Sequence, residues 1–179
     1  MTWTVHNEHT VYENPWLRVN LADVELPDGR HLDHYLLRQR PVVTCAILDA
    51  STRVLMLWRH RFITNAWGWE LPSGVANNDD GGAVLSATRE AEEETGWRPR
   101  SLRPLVTLAP LPGLSDCVNH VYWTDQAEFI GPPVDAHESS RVEWLPLKEI
   151  PTLVSEGSIR ESSTVAALLQ LYTMLDIRR

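Results

Sequence analysis

The chain has 179 residues, enough for one ordinary domain with a sizeable core and a small appended subdomain. Its 24 acidic side chains against 16 basic ones leave a formal net charge of −8, which works against gripping a polyphosphate backbone and disfavours nucleic acid as the main partner. No apolar run reaches the length of a membrane span, and the opening MTWTVHNEHT lacks the basic and apolar regions of a signal peptide, so a cytoplasmic, non-membrane protein is expected.

In chain order, the stretch from Trp16 to Leu26 alternates polar and apolar residues, turns at Pro27-Asp28-Gly29 and resumes from Arg30 to Arg38, the pattern of a β-hairpin. Pro41 marks a boundary between residues 1–40 and 41–179. Val42 to Ala50 and Arg53 to Arg61 read as a second strand pair joined by a turn at Asp49 to Thr52. Cys45 and Cys117 each lie in apolar, strand-like sequence and read as buried thiols of a reducing compartment. WELPSG (Trp69 to Gly74) and the turn-rich ANNDDGG (Ala76 to Gly82) precede a helix that stops at Gly96. Strands follow around Leu102 to Leu108, Asn119 to Trp123 and from Arg141. A terminal helix, about Ser163 to Leu175, spaces Val165, Leu168, Leu169, Tyr172 and Met174 to bury one face. The elements predict an α/β (α+β) architecture.

The helix carries the chemistry. In REAEEETGW, Arg89 to Trp97, the carboxylates of Glu90, Glu93 and Glu94 fall at i, i+3 and i+4 on one face, and Glu92 points elsewhere. Two carboxylates about 4 Å apart repel by roughly 4 kcal/mol near a protein surface. A divalent cation reverses the sign of that interaction, and hard oxygen donors suit Mg²⁺ or Mn²⁺. Arg89, one turn before Glu93, is placed to hold that carboxylate in orientation. The alternative is an acidic face that is merely solvated.

Together these elements resemble the signature box of the Nudix hydrolases: glycine, five residues, glutamate, seven residues, then Arg-Glu-apolar-x-Glu-Glu-x-Gly-apolar. The second half matches at every specified position. In the first half, Gly81 stands where the family has a glutamate, and Gly74 lies one residue further from Arg89 than the pattern requires. Asp79 and Asp80 are neighbouring carboxylates out of register.

WRHRF, WELPSG, PLPGLSD and RVEWLPLKEI occur in the order found in the ADP-ribose pyrophosphatase group of the family. That resemblance implies a mixed sheet sandwiched between helices, with residues 1–40 as a small N-terminal β-hairpin subdomain that helps wall the substrate site and form a homodimer. It implies metal ligands Glu90, Glu93, Glu94 and the Ser73 carbonyl, with catalytic roles for Glu93, Arg89 and a general base. Glu138, in the loop Gly131 to Arg141, is the expected base, with His137 and Glu143 as competitors. Arg61 and Ser115 would contact substrate. Trp69, like Trp16 and Trp67, is a candidate for stacking on a base, although large aromatics are first of all core material. The implied reaction is metal-dependent hydrolysis of a nucleoside diphosphate sugar, ADP-ribose foremost, to AMP and ribose 5-phosphate. Another nucleotide sugar or dinucleotide as substrate, a weakly active ligand-binding module, and an interaction domain with a basic partner are the rival readings.

Overall fold

The computed structural model describes residues 1–134 and 139–175. They divide into two compact units, one of residues 1–41 with 109–118, the other of 42–108 with the chain from Asn119 onward.

The first unit is an antiparallel sheet of β1 (Thr4–Glu13), β2 (Arg18–Glu25) and β3 (His31–Arg38), in that spatial order. The hairpin read from Trp16 to Arg38 is present as β2 and β3, with Gly29 at positive φ closing the turn. β1 has no signature in the sequence: nine of its ten residues are exposed and it has no alternation. Segment 109–118 completes the unit. Leu37 donates to the Leu114 carbonyl, Asp116 donates back to Leu37, and the Asp116 carboxylate receives the Gln39 amide at 3.0 Å.

The second unit contains two larger sheets. One orders β7 (Ser73–Val75), β4 (Val42–Ile47), β10 (Asn119–Thr124) and β9 (Arg103–Leu108); the other orders β12 (Arg141–Pro146), β5 (Arg53–Arg61) and β6 (Ala66–Glu70). β4 and β10 run parallel, and the remaining pairs are antiparallel. The short β8 (Trp97–Pro99) pairs with β11 (Ala127–Phe129).

β4 shows why the layers form. Val43, Cys45 and Ile47 pack with Ala87 and Ala91 of α1 (Ala83–Thr95), whereas Ala46 packs in a cluster with Ala167, Leu168 and Leu171 of α3 (Ser162–Met174). Period-two alternation thus sends each face of the sheet to a different helix. In chain order the short α2 (Ile150–Ser155) comes between these two helices. Small residues on α1 allow close approach, and Gly96 in the left-handed region ends it. A side chain at Gly96 would also strike the Gly131 carbonyl oxygen, 1.9 Å from an added Cβ.

Three expectations need correction. The buried face of α3 is Ser163, Thr164, Ala167, Leu168 and Leu171, rotated from the expected stripe, and Leu169 and Met174 are exposed. β4 and β5 are strands, but they are not a ladder: they lie in different sheets and share only an isolated bridge, Leu48 to Val54. Both runs are apolar on both faces, so each is an interior strand with partners elsewhere. Cys45 is buried, and burial pushes its thiol up to about 12. Cys117 instead lies half-buried in the loop before β10.

Candidate metal and phosphate site

The acidic face of α1 meets the strand β7 that precedes it. Glu94 is buried, with Arg59 of β5 donating to one carboxylate oxygen at 2.5 Å and the Ser73 amide donating to the other at 2.9 Å. Burial pushes its carboxyl up to about 7, against the pull of the Arg59 charge and the Ser73 amide. Glu90 lies on Gly74 so closely that a Cβ there would sit 2.1 Å from its carboxyl carbon. Gly74 therefore acts by having no side chain.

Arg89 organises the rest. Its guanidinium reaches Glu93 at 2.7 Å, Glu90 at 2.7 Å and Asp80 at 3.1 Å. The Asp80 contact falls at the point where the sequence departs from the family pattern. Asn77 caps a 3-10 turn over Asn78–Asp80, which ends on Gly81 with φ of 85°. A left-handed residue there favours glycine over glutamate, while the turn brings the Asp80 carboxylate to Arg89. Glu92, as expected, faces away and pairs with Arg98 at 2.6 Å.

The donor set fits a hard divalent cation. It offers three carboxylates, the buried one paired with Arg59, and a glycine whose missing side chain admits the Glu90 carboxylate.

The other expected site residues are distributed as follows. Arg61, half-exposed at the end of β5, is paired with Glu70 of β6, which takes Nε and Nη2, the closest contact being 2.6 Å. Both line a cavity of about 400 Å³ with Ile63, Trp67 and Arg160. Trp69 also borders that cavity, but only 7% of its surface is exposed and its ring packs on Trp58 at 5.0 Å, which makes it a core residue. Trp67 has the more exposed ring. Ser115 belongs to the first unit, where its hydroxyl donates to Gln39 and accepts from the Cys117 amide. Trp16, 82% exposed, lines a separate cavity of about 410 Å³ within that unit, beside Arg18, Arg38 and Arg40. Glu143 pairs with Arg141 on β12. Glu138 and His137 lie outside the described residues, but both ends of their loop are anchored: the Val134 amide donates to the Glu93 carbonyl and the Ser140 amide to the Trp58 carbonyl, each at 2.9 Å.

Arg59 and Glu70 were missed in the sequence. A signal existed for Arg59: it stands two residues before Arg61, on the same side of a strand.

A mixed sheet between two helices, one presenting this carboxylate face over a glycine loop, defines a metal-dependent hydrolase of the Nudix type. The chain belongs to that family, since residues 38–167 match the NUDIX domain model. Residues 3–37 match a second model, described as the nucleoside diphosphate sugar hydrolase N-terminal domain. Among curated relatives, a CMP-5'-(N-acetyl-N-hydroxy-3-aminopropyl)phosphonate hydrolase of Streptomyces rubellomurinus is 40% identical over 94% of this chain and 82% of its own. A methanol dehydrogenase activator of Bacillus methanolicus is 26% identical over 90% of this chain and 88% of its own. An ADP-ribose pyrophosphatase of Bacillus subtilis is 22% identical over 94% and 93%. A solved structure of an ADP compounds hydrolase superposes with a TM-score of 0.80 over 99% of this chain and 96% of its own, at 20% identity, and so shares the fold. Among the described residues, no helix is long and apolar enough to cross a membrane.

Proposed function

We propose that this chain hydrolyses the phosphoric anhydride of a nucleoside diphosphate joined to a sugar or sugar-like group, releasing a nucleoside monophosphate. The observation that carries this reading is the trio Glu90, Glu93 and Glu94, held over Gly74 by Arg89, Arg59 and the Ser73 amide. Mg²⁺ or Mn²⁺ held by these carboxylates and the Ser73 carbonyl would neutralise substrate charge and lower the pKa of a bound water. The protein's own part is positioning. Arg89 fixes two carboxylates at once, and the buried Arg59 fixes the third.

Arg61 is assigned to substrate phosphate through the guanidinium edge that Glu70 does not occupy. Glu138 is assigned as general base from its position in the sequence shortly before β12, where the family resemblance expects that residue. Dimerisation through the N-terminal subdomain belongs to the same proposal, supported by exposed Trp3, Val5, Val11 and Tyr12 on and beside β1. A monomer mass in light scattering at micromolar concentration would sink that part.

ADP-ribose, yielding AMP and ribose 5-phosphate, is the first substrate to try. A second reading, a CMP-linked phosphonate, is favoured by the 40% identical relative. The test is monophosphate release from a panel of nucleoside diphosphate sugars and a nucleotidyl phosphonate, each with Mg²⁺, with Mn²⁺ and with chelator. Turnover that chelator abolishes, and that Glu94→Gln lowers by about a hundredfold or more, is expected, since removing metal charge stabilisation costs several kcal/mol. Chelator-insensitive turnover, or near-normal activity in Glu94→Gln, overturns the reading.

A further inference from the structure

The first unit carries a cluster of metal-ligating side chains that hydrolysis does not use. His6 of β1, Glu25 of β2 and His31 of β3 each present one donor atom, and these atoms all lie within 4.8 Å of one another. Three adjacent strands contribute one ligand each. Glu25 and His31 are direct partners across the β2–β3 ladder and so share a face. His6 sits at the irregularity in β1 between Val5 and Asn7, where a bulge redirects a side chain out of strict alternation. Its Nε2 lies 2.6 Å from Glu25 Oε2, and its ring stacks on that of His31 with centroids 5.1 Å apart.

A fourth residue completes the pattern. Asp23, two positions before Glu25 on the same face of β2, bonds His31 Nδ1 at 2.7 Å. A carboxylate on one ring nitrogen fixes the tautomer and turns the other nitrogen outward as a ligand, as in carboxylate–histidine–metal arrangements. The hydrogen bond to Asp23 also raises the affinity of that ring for a proton.

We propose that His6, Glu25 and His31 form a site for a borderline divalent transition-metal ion, Zn²⁺ foremost, oriented by Asp23 and built from none of the residues of the carboxylate centre. Two imidazoles and one carboxylate select Zn²⁺ over Mg²⁺, which prefers oxygen alone. Zinc–ligand bonds of about 2.0–2.2 Å set donors in a tetrahedral site a little over 3 Å apart. The present spacing requires only side-chain rotation of exposed groups. The exposed His6–Glu25 contact that metal binding breaks contributes little. Bound metal would pin the start of β1 to both neighbouring strands.

The test is a Zn²⁺ titration by calorimetry on the full chain in a large excess of Mg²⁺, which occupies oxygen sites and leaves imidazoles free. One Zn²⁺ per chain is expected in the wild type and none in His6→Ala or His31→Ala, with Mg²⁺-dependent hydrolysis within twofold of wild type in both variants. Asp23→Asn should bind about tenfold more weakly, the loss typical of an orienting partner. Should an alanine variant fail to fold, Glu25→Gln with Co²⁺ as probe replaces it, and the visible absorption of four-coordinate Co²⁺ should be lost. No Zn²⁺ uptake by the wild type, or wild-type stoichiometry in both histidine variants, overturns the proposal. Because hydrolysis is read separately, failure here is distinguishable from failure at the carboxylate centre.

Discussion

An alanine methyl at position 74 would lie 2.1 Å from the Glu90 carboxyl carbon, so the two groups cannot both keep their places. Gly74 has no positive φ, so the substitution meets no backbone strain and its effect is confined to the displaced carboxylate. Gly74→Ala should lower Mg²⁺-dependent turnover about tenfold or more and leave the thermal midpoint within a few degrees, as kinetics and scanning calorimetry together would read. At the same scale, Asp80→Asn weakens one of three grips on Arg89. A fall of about tenfold in turnover is expected, and full activity would show that Asp80 does not replace the missing glutamate. Glu8 supplies a pH prediction. Hydrogen bonds from Arg38 and Asn20 hold its carboxyl at about 2, below its ordinary 4.5. A depressed carboxyl stabilises the fold above the unfolded value, and the contribution is lost as pH falls from 4.5 through about 2. Glu8→Gln should flatten that part of a denaturation curve followed against pH.

Among the elements, α1 was the most legible, because its carboxylate spacing and Gly96 stop are properties of adjacent residues. β4 and β5 were legible as strands but not as partners. An apolar run gives its own burial on both faces and says nothing of which neighbour supplies the hydrogen bonds. β1 was silent because an exposed strand needs no apolar pattern, and β6 and β7 were hidden inside motifs read for chemistry. The role of Asp80 was also illegible, since register counted along the chain cannot include the turn that brings it to Arg89. The Arg59–Glu94 pair links β5 to α1 inside the core. Arg59→Met should destabilise the fold by about 3 kcal/mol in urea, because Glu94 would stay buried without that cation. Arg59→Met with Glu94→Gln should recover part of the loss, and a double variant no better than the single one would argue against coupling.

At the scale of the whole molecule, the chain enters the first unit twice. Residues 1–41 build its sheet, and residues 109–118 return to it between β9 and β10. A fragment starting at Val42 would keep the second stretch but strip it of Leu37, Arg38 and Gln39, which hold it through backbone and side-chain hydrogen bonds. Limited proteolysis of that fragment should cut between Ala109 and Val118, where the intact chain resists. The double passage also sets a rule for recombination among relatives. A chimera that joins a foreign N-terminal portion at Pro41 imports only one of two interlocking pieces, and its Leu111–Asp116 stretch would still be spelled for the discarded sheet. Grafts that carry the distant ten-residue insert along with the first forty-one residues should give soluble protein, whereas a single-crossover library at the same junction should be enriched in failures.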